Sequence, residues 1–268
     1  MLALLETEIY DTPVLKRLIG MSKAENSIFF SESKILGMDV LRVAMALPSR
    51  LSERKTEKRY SALMDALTRC GAYRVCFRDD FYLRGAILDR GFCEPDKGEL
   101  WRIKAPDIAF RSTDRHDIAL VASKYAGVDE EKICSELCAK YRFVALESEH
   151  SGAYLCHKLS EKTGISVVEK PSRRILDNTD SAVILDVPRD ISLGSGCTVV
   201  SGGVLPESVT GMGSFVSECR FTYGGSADFA VPGGYNADAI LSEAIRKGKC
   251  RGADITVTDI KKQSAANT

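Results

Sequence analysis

Glu147-Ser-Glu-His-Ser-Gly152 places two carboxylates, two hydroxyls, an imidazole and a glycine in consecutive positions. The stretch lies between an apolar run, Arg142-Phe-Val-Ala-Leu-Glu147, and a helical pattern from Ser151 to Thr163. The first N–H groups of a helix lack partners and its dipole favours negative charge, so such a junction suits an anion. Ser148, Ser151 and the Gly152 amide therefore read as holders of a phosphate or carboxylate, with His150 as a donor or proton carrier. Asp186 ends a later strand and is followed by Pro188-Arg189-Asp190. It would reach the same place if the strands were neighbours in a parallel sheet, and otherwise it caps its own turn. Cys197, in Gly194-Ser-Gly-Cys-Thr198, is a nucleophile candidate if a cation or helix terminus lowers its pKa, although no histidine is near it in the sequence.

The elements that position these residues follow from apolar spacing. Val40 to Leu47 is a strand-length apolar run, a helix carries Tyr60, Leu63, Met64 and Leu67, Gly71 caps it, and Tyr73 to Phe77 is a second strand. A helix is expected over Val14 to Met21, and a short strand over Leu100 to Ile103. Two helices are expected over Asp114 to Tyr125 and Asp129 to Tyr141, the second with Asp129 as N-cap. Next come a strand over Arg142 to Glu147, the helix to Thr163, and strands over Ile165 to Glu169 and Ala182 to Asp186. From 191 to 235 the chain is glycine-rich, with short strands at Cys197 to Ser201 and Ser214 to Tyr223. Asn236 caps a last helix and Ala253 to Ile260 forms a last strand. The expectation is a three-layer α/β protein with a mainly parallel sheet, made of an N-terminal α/β portion over 1–112 and a Rossmann-like portion over 113–268, either as two portions or as one continuous domain. The glycine-rich excursion is expected to cover the sheet's ligand edge.

At the level of fold, the segment from Arg142 onward resembles a dinucleotide-binding Rossmann half: strand, turn, helix, then a strand ending in an acid, Glu169, about twenty residues on. The resemblance implies that Glu169 meets a ribose hydroxyl and that Arg173 accepts a 2′-phosphate, which makes NADP or NAD the cofactor candidates. The G-x-G-x-x-G fingerprint is replaced by Glu-Ser-Glu-His-Ser-Gly, of which only Gly152 remains, and Glu147 and Glu149 would face the pyrophosphate.

Composition sets bounds on the rest. The 37 basic and 37 acidic side chains cancel, and the most basic stretch, Arg50 to Arg59, is interleaved with Glu53 and Glu57. Nucleic acid is therefore not expected as a partner. No run of about 18 apolar residues is present, so no membrane span is expected. Nine cysteines without a C-x-x-C pair, and an N-terminal apolar run too short for a signal peptide, point to reduced thiols and a cytoplasmic setting. Cys134 and Cys138 continue an apolar stripe with Ile133, Leu137 and Tyr141 and read as core, and with three histidines no metal centre is expected. The functional expectation is a small anionic metabolite or nucleotide bound at 147–152. The alternative is a non-catalytic Rossmann-like protein that acts through protein contacts, as a homodimer or regulatory partner.

Overall fold

The computed structural model describes residues 1–10, 28–48, 53–81, 83–187, 189–224 and 232–265. The helix expected over Val14 to Met21 lies outside them, as do Pro188 and residues 225–231 of the glycine-rich segment. The chain divides into two compact units. Unit 1 is Met1–Lys97 with Tyr223–Asp254, and unit 2 is Gly98–Thr222 with Ile255–Thr268. The division thus falls at 97/98 where the sequence suggested 112/113, and a later segment returns to unit 1.

Unit 1 is built on a four-stranded sheet of order β2-β3-β1-β4, from β1 (Leu2–Tyr10), β2 (Ile28–Ile35), β3 (Met38–Pro48) and β4 (Arg74–Phe77). β1 runs parallel to β3 and β4 and carries the apolar N-terminal run, while β2 is antiparallel to β3. The β2–β3 hairpin turns through Leu36 and Gly37, both at positive φ (51° and 69°), the backbone that matches the twist of the strands it joins. α1 (Glu53–Arg69) lays Leu63 and Leu67 against Ala3, Leu5, Val43, Val75 and Phe77 in one buried cluster. The short α2 (Arg84–Leu88) adds Ile87. The returning segment supplies α7 (Ala237–Arg246), whose N-cap Asn236 accepts the Ala239 N–H at 3.0 Å as its sequence position implies.

Unit 2 holds a seven-stranded sheet of order β13-β12-β10-β8-β5-β6-β7. Its strands are β5 (Ile118–Tyr125), β6 (Phe143–His150), β7 (Val167–Glu169), β8 (Ser181–Ile184), β10 (Thr198–Val200), β12 (Ser214–Tyr223) and β13 (Ile255–Ser264). The first six in chain order are parallel. The bonds Thr258 to Arg220, Ser217 to Lys261 and Ala265 to Gly213 show that β13 closes the edge antiparallel. Taken in chain order from β5, the parallel strands run 3-2-1-4-5-6, the doubly wound Rossmann order. Helices α3 (Gly98–Arg111), α4 (Val128–Cys138) and α5 (Gly152–Thr163) form one layer. The opposite layer is α6 (Arg173–Asp177) with a two-stranded ribbon of β9 (Ile191–Ser192) and β11 (Val209–Thr210). Ile191, Leu193, Val209 and Met212 pack on Leu120, Ala122, Ala145, Ala182 and Val199. Residues 191–212 of the glycine-rich segment therefore carry a layer that packs on a face of the sheet.

Two expectations reverse. Residues 118–125 form the central strand and not a helix, because Ile-Ala-Leu-Val-Ala is buried on both faces and a short run apolar all round has no period to read. Leu100 to Ile103 lies within α3, which tolerates Pro106 nine positions into its 14 residues.

Close backbone packing holds the ribbon. A Cβ at Gly194 would strike the Asp177 carbonyl and one at Gly213 the Ser195 carbonyl, whereas Gly196 has open space. Gly194→Ala and Gly213→Ala are expected to cost about 2 kcal/mol or more, and Gly196→Ala less than about 0.5 kcal/mol, read as shifts of the urea midpoint. In unit 1 the buried Glu243 carboxylate meets Arg246 at 2.6 Å and Arg74 and Lys247 at 3.6 Å. Burial pushes its pKa up, but Arg246, Arg74 and Lys247 outweigh that and hold it below 4.5. A carboxyl depressed in the folded state adds stability above its unfolded pKa and loses it as pH falls through the folded value. The urea midpoint should therefore fall as the pH is lowered below about 4.5. Glu243→Gln should weaken that dependence and cost about 2 kcal/mol at neutral pH, since it takes the shared carboxylate away from three cations.

Candidate functional site at the carboxyl edge of the seven-stranded sheet

In an open α/β sheet, ligands bind outside the carboxyl ends of the strands, where the strand order reverses. Here the reversal lies between β5 and β8, which are direct neighbours. The Leu185 and Asp186 N–H groups both point at the Ala122 carbonyl, at 2.9 and 3.4 Å.

The sheet order moves the Rossmann correspondence one strand earlier than the sequence suggested. β5, read as a helix from sequence, is the first strand, and the phosphate-facing turn is Tyr125-Ala126-Gly127 leading into α4. β6 is the second strand, so the acid about twenty residues after the turn glycine is Glu147, with Glu149 two residues further on the same strand face. Glu169 ends the third strand. The N-cap of α4 is Gly127 and not Asp129. Glu130 folds back over this turn, accepting the Gly127 N–H at 2.9 Å and the Ser123 hydroxyl at 2.8 Å. With Asp129 and Glu131 beside it, the first turn of α4 carries its own negative charge where a phosphate would lie.

The 147–152 junction is likewise largely satisfied from within. Glu147 is buried and pairs with Arg189 at 3.0 Å. The Ser148 hydroxyl is buried and donates to the His150 carbonyl at 2.8 Å. His150 stacks on Tyr125, the ring centroids 5.2 Å apart and the planes 24° from parallel, and lies 3.9 Å from Glu149. Ser151 holds φ 62°, and Lys170, just past β7, holds φ 50°. Each left-handed non-glycine costs about 1 kcal/mol, so backbone strain gathers at two adjacent strand ends. A Cβ at Gly152 would come within 2.6 Å of a Glu169 carboxylate oxygen, so the Glu169 side chain lies against the N-terminus of α5 and would have to swing away from a larger residue there.

The other candidates are placed apart. β5 stands between β8 and β6, so Asp186 is not beside the junction; it is exposed and accepts its neighbour Val187's N–H at 2.9 Å. Arg173 pairs with Asp177 at 2.7 Å and donates to the Ser192 carbonyl at 3.0 Å. Cys197 is fully buried, and desolvation pushes its thiol up to about 12; a thiol so held is protonated at neutral pH.

Sequence reasoning missed a hollow of about 130 Å³ beyond β8 and β10, lined by Trp101 and Ala105 of α3, Val183 to Leu185, and Val200 to Gly202. Trp101 meets Phe221 edge-on at 6.2 Å. Ligand pockets commonly span about 300–1,000 Å³, so this hollow suits one ring-sized group. Trp101 was obscured because its helix was read as a strand. Among the described residues no His, Cys, Asp and Glu cluster suits a metal ion, and no helix is long and apolar enough to cross a membrane.

No protein-family model matches the chain, and no curated protein matches it. Solved structures similar to it include Δ1-pyrroline-2-carboxylate reductase of Thermococcus litoralis in complex with NADH and L-proline, at 15% identity over 38% of this chain and 35% of that one, with a TM-score of 0.31. Quinate dehydrogenase of Corynebacterium glutamicum in complex with NAD matches at 14% identity over 69% of this chain and 70% of that one, TM-score 0.27. L-tryptophan dehydrogenase of Nostoc punctiforme matches at 10% identity over 75% and 62%, TM-score 0.28. The chain thus spans about a third of the first of these proteins. The assignment of the fold rests on the strand order described above.

Cysteine exposure gives a direct check of the placements. Cys70 and Cys93 are exposed and the other seven cysteines buried. Iodoacetamide should label Cys70 and Cys93 in the native protein and Cys197 only after unfolding, as read by peptide mass spectrometry.

Proposed function

We propose that unit 2 binds a nucleotide along the carboxyl edge of its sheet, and that the ligand is of the NAD type. The observation that carries this reading is the 3-2-1-4-5-6 strand order, with its reversal between β5 and β8. In this reading the 147–152 junction takes the adenosine end. Glu149, exposed at the end of the second strand, accepts the ribose hydroxyls, and the Tyr125–His150 pair offers a flat surface to the base. The opposite end of the ligand places one ring in the Trp101 hollow. A carboxylate at the ribose repels a 2′-phosphate, which favours NAD over NADP. Arg173, held by Asp177 and Ser192, takes no part. Glu130 must leave the turn when a pyrophosphate enters, which weakens binding to the extent that its two hydrogen bonds are lost.

A second reading draws on that same carboxylate. A Rossmann unit whose first helix is capped by its own glutamate has no need of a pyrophosphate and can serve as a scaffold for protein contacts.

Trp101 is the chain's single tryptophan, so its emission reports on the hollow. Titration with NADH should quench it saturably through energy transfer to the dihydronicotinamide. Glu149→Gln should weaken NADH binding about tenfold, the loss of about 1.4 kcal/mol, and narrow the preference over NADPH. Gly127→Val should abolish binding while leaving the fold intact. If NADH, NADPH, ADP-ribose and adenosine all leave both the emission and the melting temperature unchanged, the scaffold reading stands in place of this one.

A further inference from the structure

We infer that unit 1 pairs with a second copy of this chain through the outer edge of β2, in an antiparallel register centred on Ser33. β2 ends the four-stranded sheet, and among the described residues it pairs only with β3. The main-chain groups along its outer side are a row of donors and acceptors that another strand can match. Phe29 and Phe30 are 44% and 45% exposed there. Phe30 lies opposite Val43, on the face that α1 covers, and Phe29 lies opposite Ala44 on the other face. The edge therefore presents an aromatic ring on each side of the sheet.

Symmetry restricts the register. Two identical antiparallel strands related by a two-fold axis place one residue directly opposite itself, and residues equally far before and after it opposite each other. The order Glu32-Ser33-Lys34 then decides the centre. Centred on Glu32 or on Lys34, the pairing sets like charges face to face, which destabilises a sheet. Centred on Ser31, it sets Phe30 against Glu32 and joins no opposite charges. Centred on Ser33, it sets Glu32 of each copy opposite Lys34 of the other. Both side chains are exposed and available for this, Lys34 reaching Asp39 within its own hairpin only at 4.0 Å.

An independent observation selects the same centre. The Ser33 hydroxyl oxygen is buried and has no hydrogen-bond partner, and buried polar atoms are paired in the great majority of cases. In the register centred on Ser33 the two copies of that residue face each other, with Cβ atoms about 4.5–5.5 Å apart. A χ1 rotation then lets one hydroxyl donate to the other. The same register places Phe30 opposite Leu36 of the second copy and Phe29 diagonally across from Ile35, so both exposed rings gain apolar neighbours. Charges on an edge strand commonly keep other strands away. Here their change of sign across Ser33 opposes the neighbouring registers and favours this one. The pairing stands on unit 1 alone and is independent of nucleotide binding in unit 2.

A strand pair is a small interface, so the dimer is expected to dissociate in the micromolar range, as read by sedimentation velocity of the whole protein. Glu32→Lys and Lys34→Glu should each weaken it about tenfold or more. A mixture of those two variants should form the heterodimer, and the chain carrying both substitutions should recover the parent affinity. Ser33→Cys under mild oxidation should give a disulfide-linked dimer joined through position 33, as mapped by peptide mass spectrometry, and Ser31→Cys should not. A protein that stays monomeric up to about 0.2 mM would overturn the inference and leave the charges as guards of the edge. Dimerisation indifferent to both single substitutions would overturn it as well, by placing the contact elsewhere, and so would cross-linking at position 31 in preference to 33.

Discussion

The pairing of β5 on both its edges is the constraint from which the organisation of unit 2 follows. Its register places Leu120 opposite Ala145 on β6 and Ala182 on β8, and its residues are buried on both faces from Ala119 to Ser123. A strand in that position must be apolar all round and must have a layer on each side. The helical layer and the ribbon layer meet that requirement by different means, one with Cys134 and Leu137, the other with Leu193 and Met212. Because the next strand in chain order goes to one side and the fourth to the other, the ligand crevice is a by-product of how β5 is covered.

Legibility in the sequence followed periodicity. β6, α5, β7, β8 and α7 were readable because their apolar residues recur at one period and their ends carry Ser, Gly or Asn in capping positions. β5 and α3 were not. Ile118 to Ala122 has no polar alternate to mark it as a strand, and α3 shows almost no amphipathic contrast because Leu100, Lys104, Ala105, Ile108 and Ala109 are buried around much of its surface. That one misreading shifted the correspondence by a strand, so Gly152 and Glu169 stood in for Gly127 and Glu147 or Glu149. The contact between Gly152 and Glu169 is real, but it is a packing contact.

At the carboxyl edge of unit 2, Glu130 is bound by Gly127 and Ser123, Glu147 by Arg189, and Ser148 by its own strand. Such internal satisfaction lowers the energy of the free protein and raises the free energy an incoming anion must supply to displace it.

The route of the chain bears on the order in which the protein can be made. Residues 223–254 leave unit 2 after β12, supply α7 and Tyr235 to unit 1, and then return as β13. During synthesis the four strands of unit 1 emerge before those of unit 2, yet the segment that brings Tyr235 and Glu243 to them emerges only after the parallel strands of unit 2 have been made. For that interval Arg74 lacks Glu243, and Arg78 in the turn beyond the last strand lacks its bridge to Tyr235. Domains made early in a chain usually fold as they appear. Here a unit begun before the seven-stranded sheet is completed only after that sheet's parallel strands have been made.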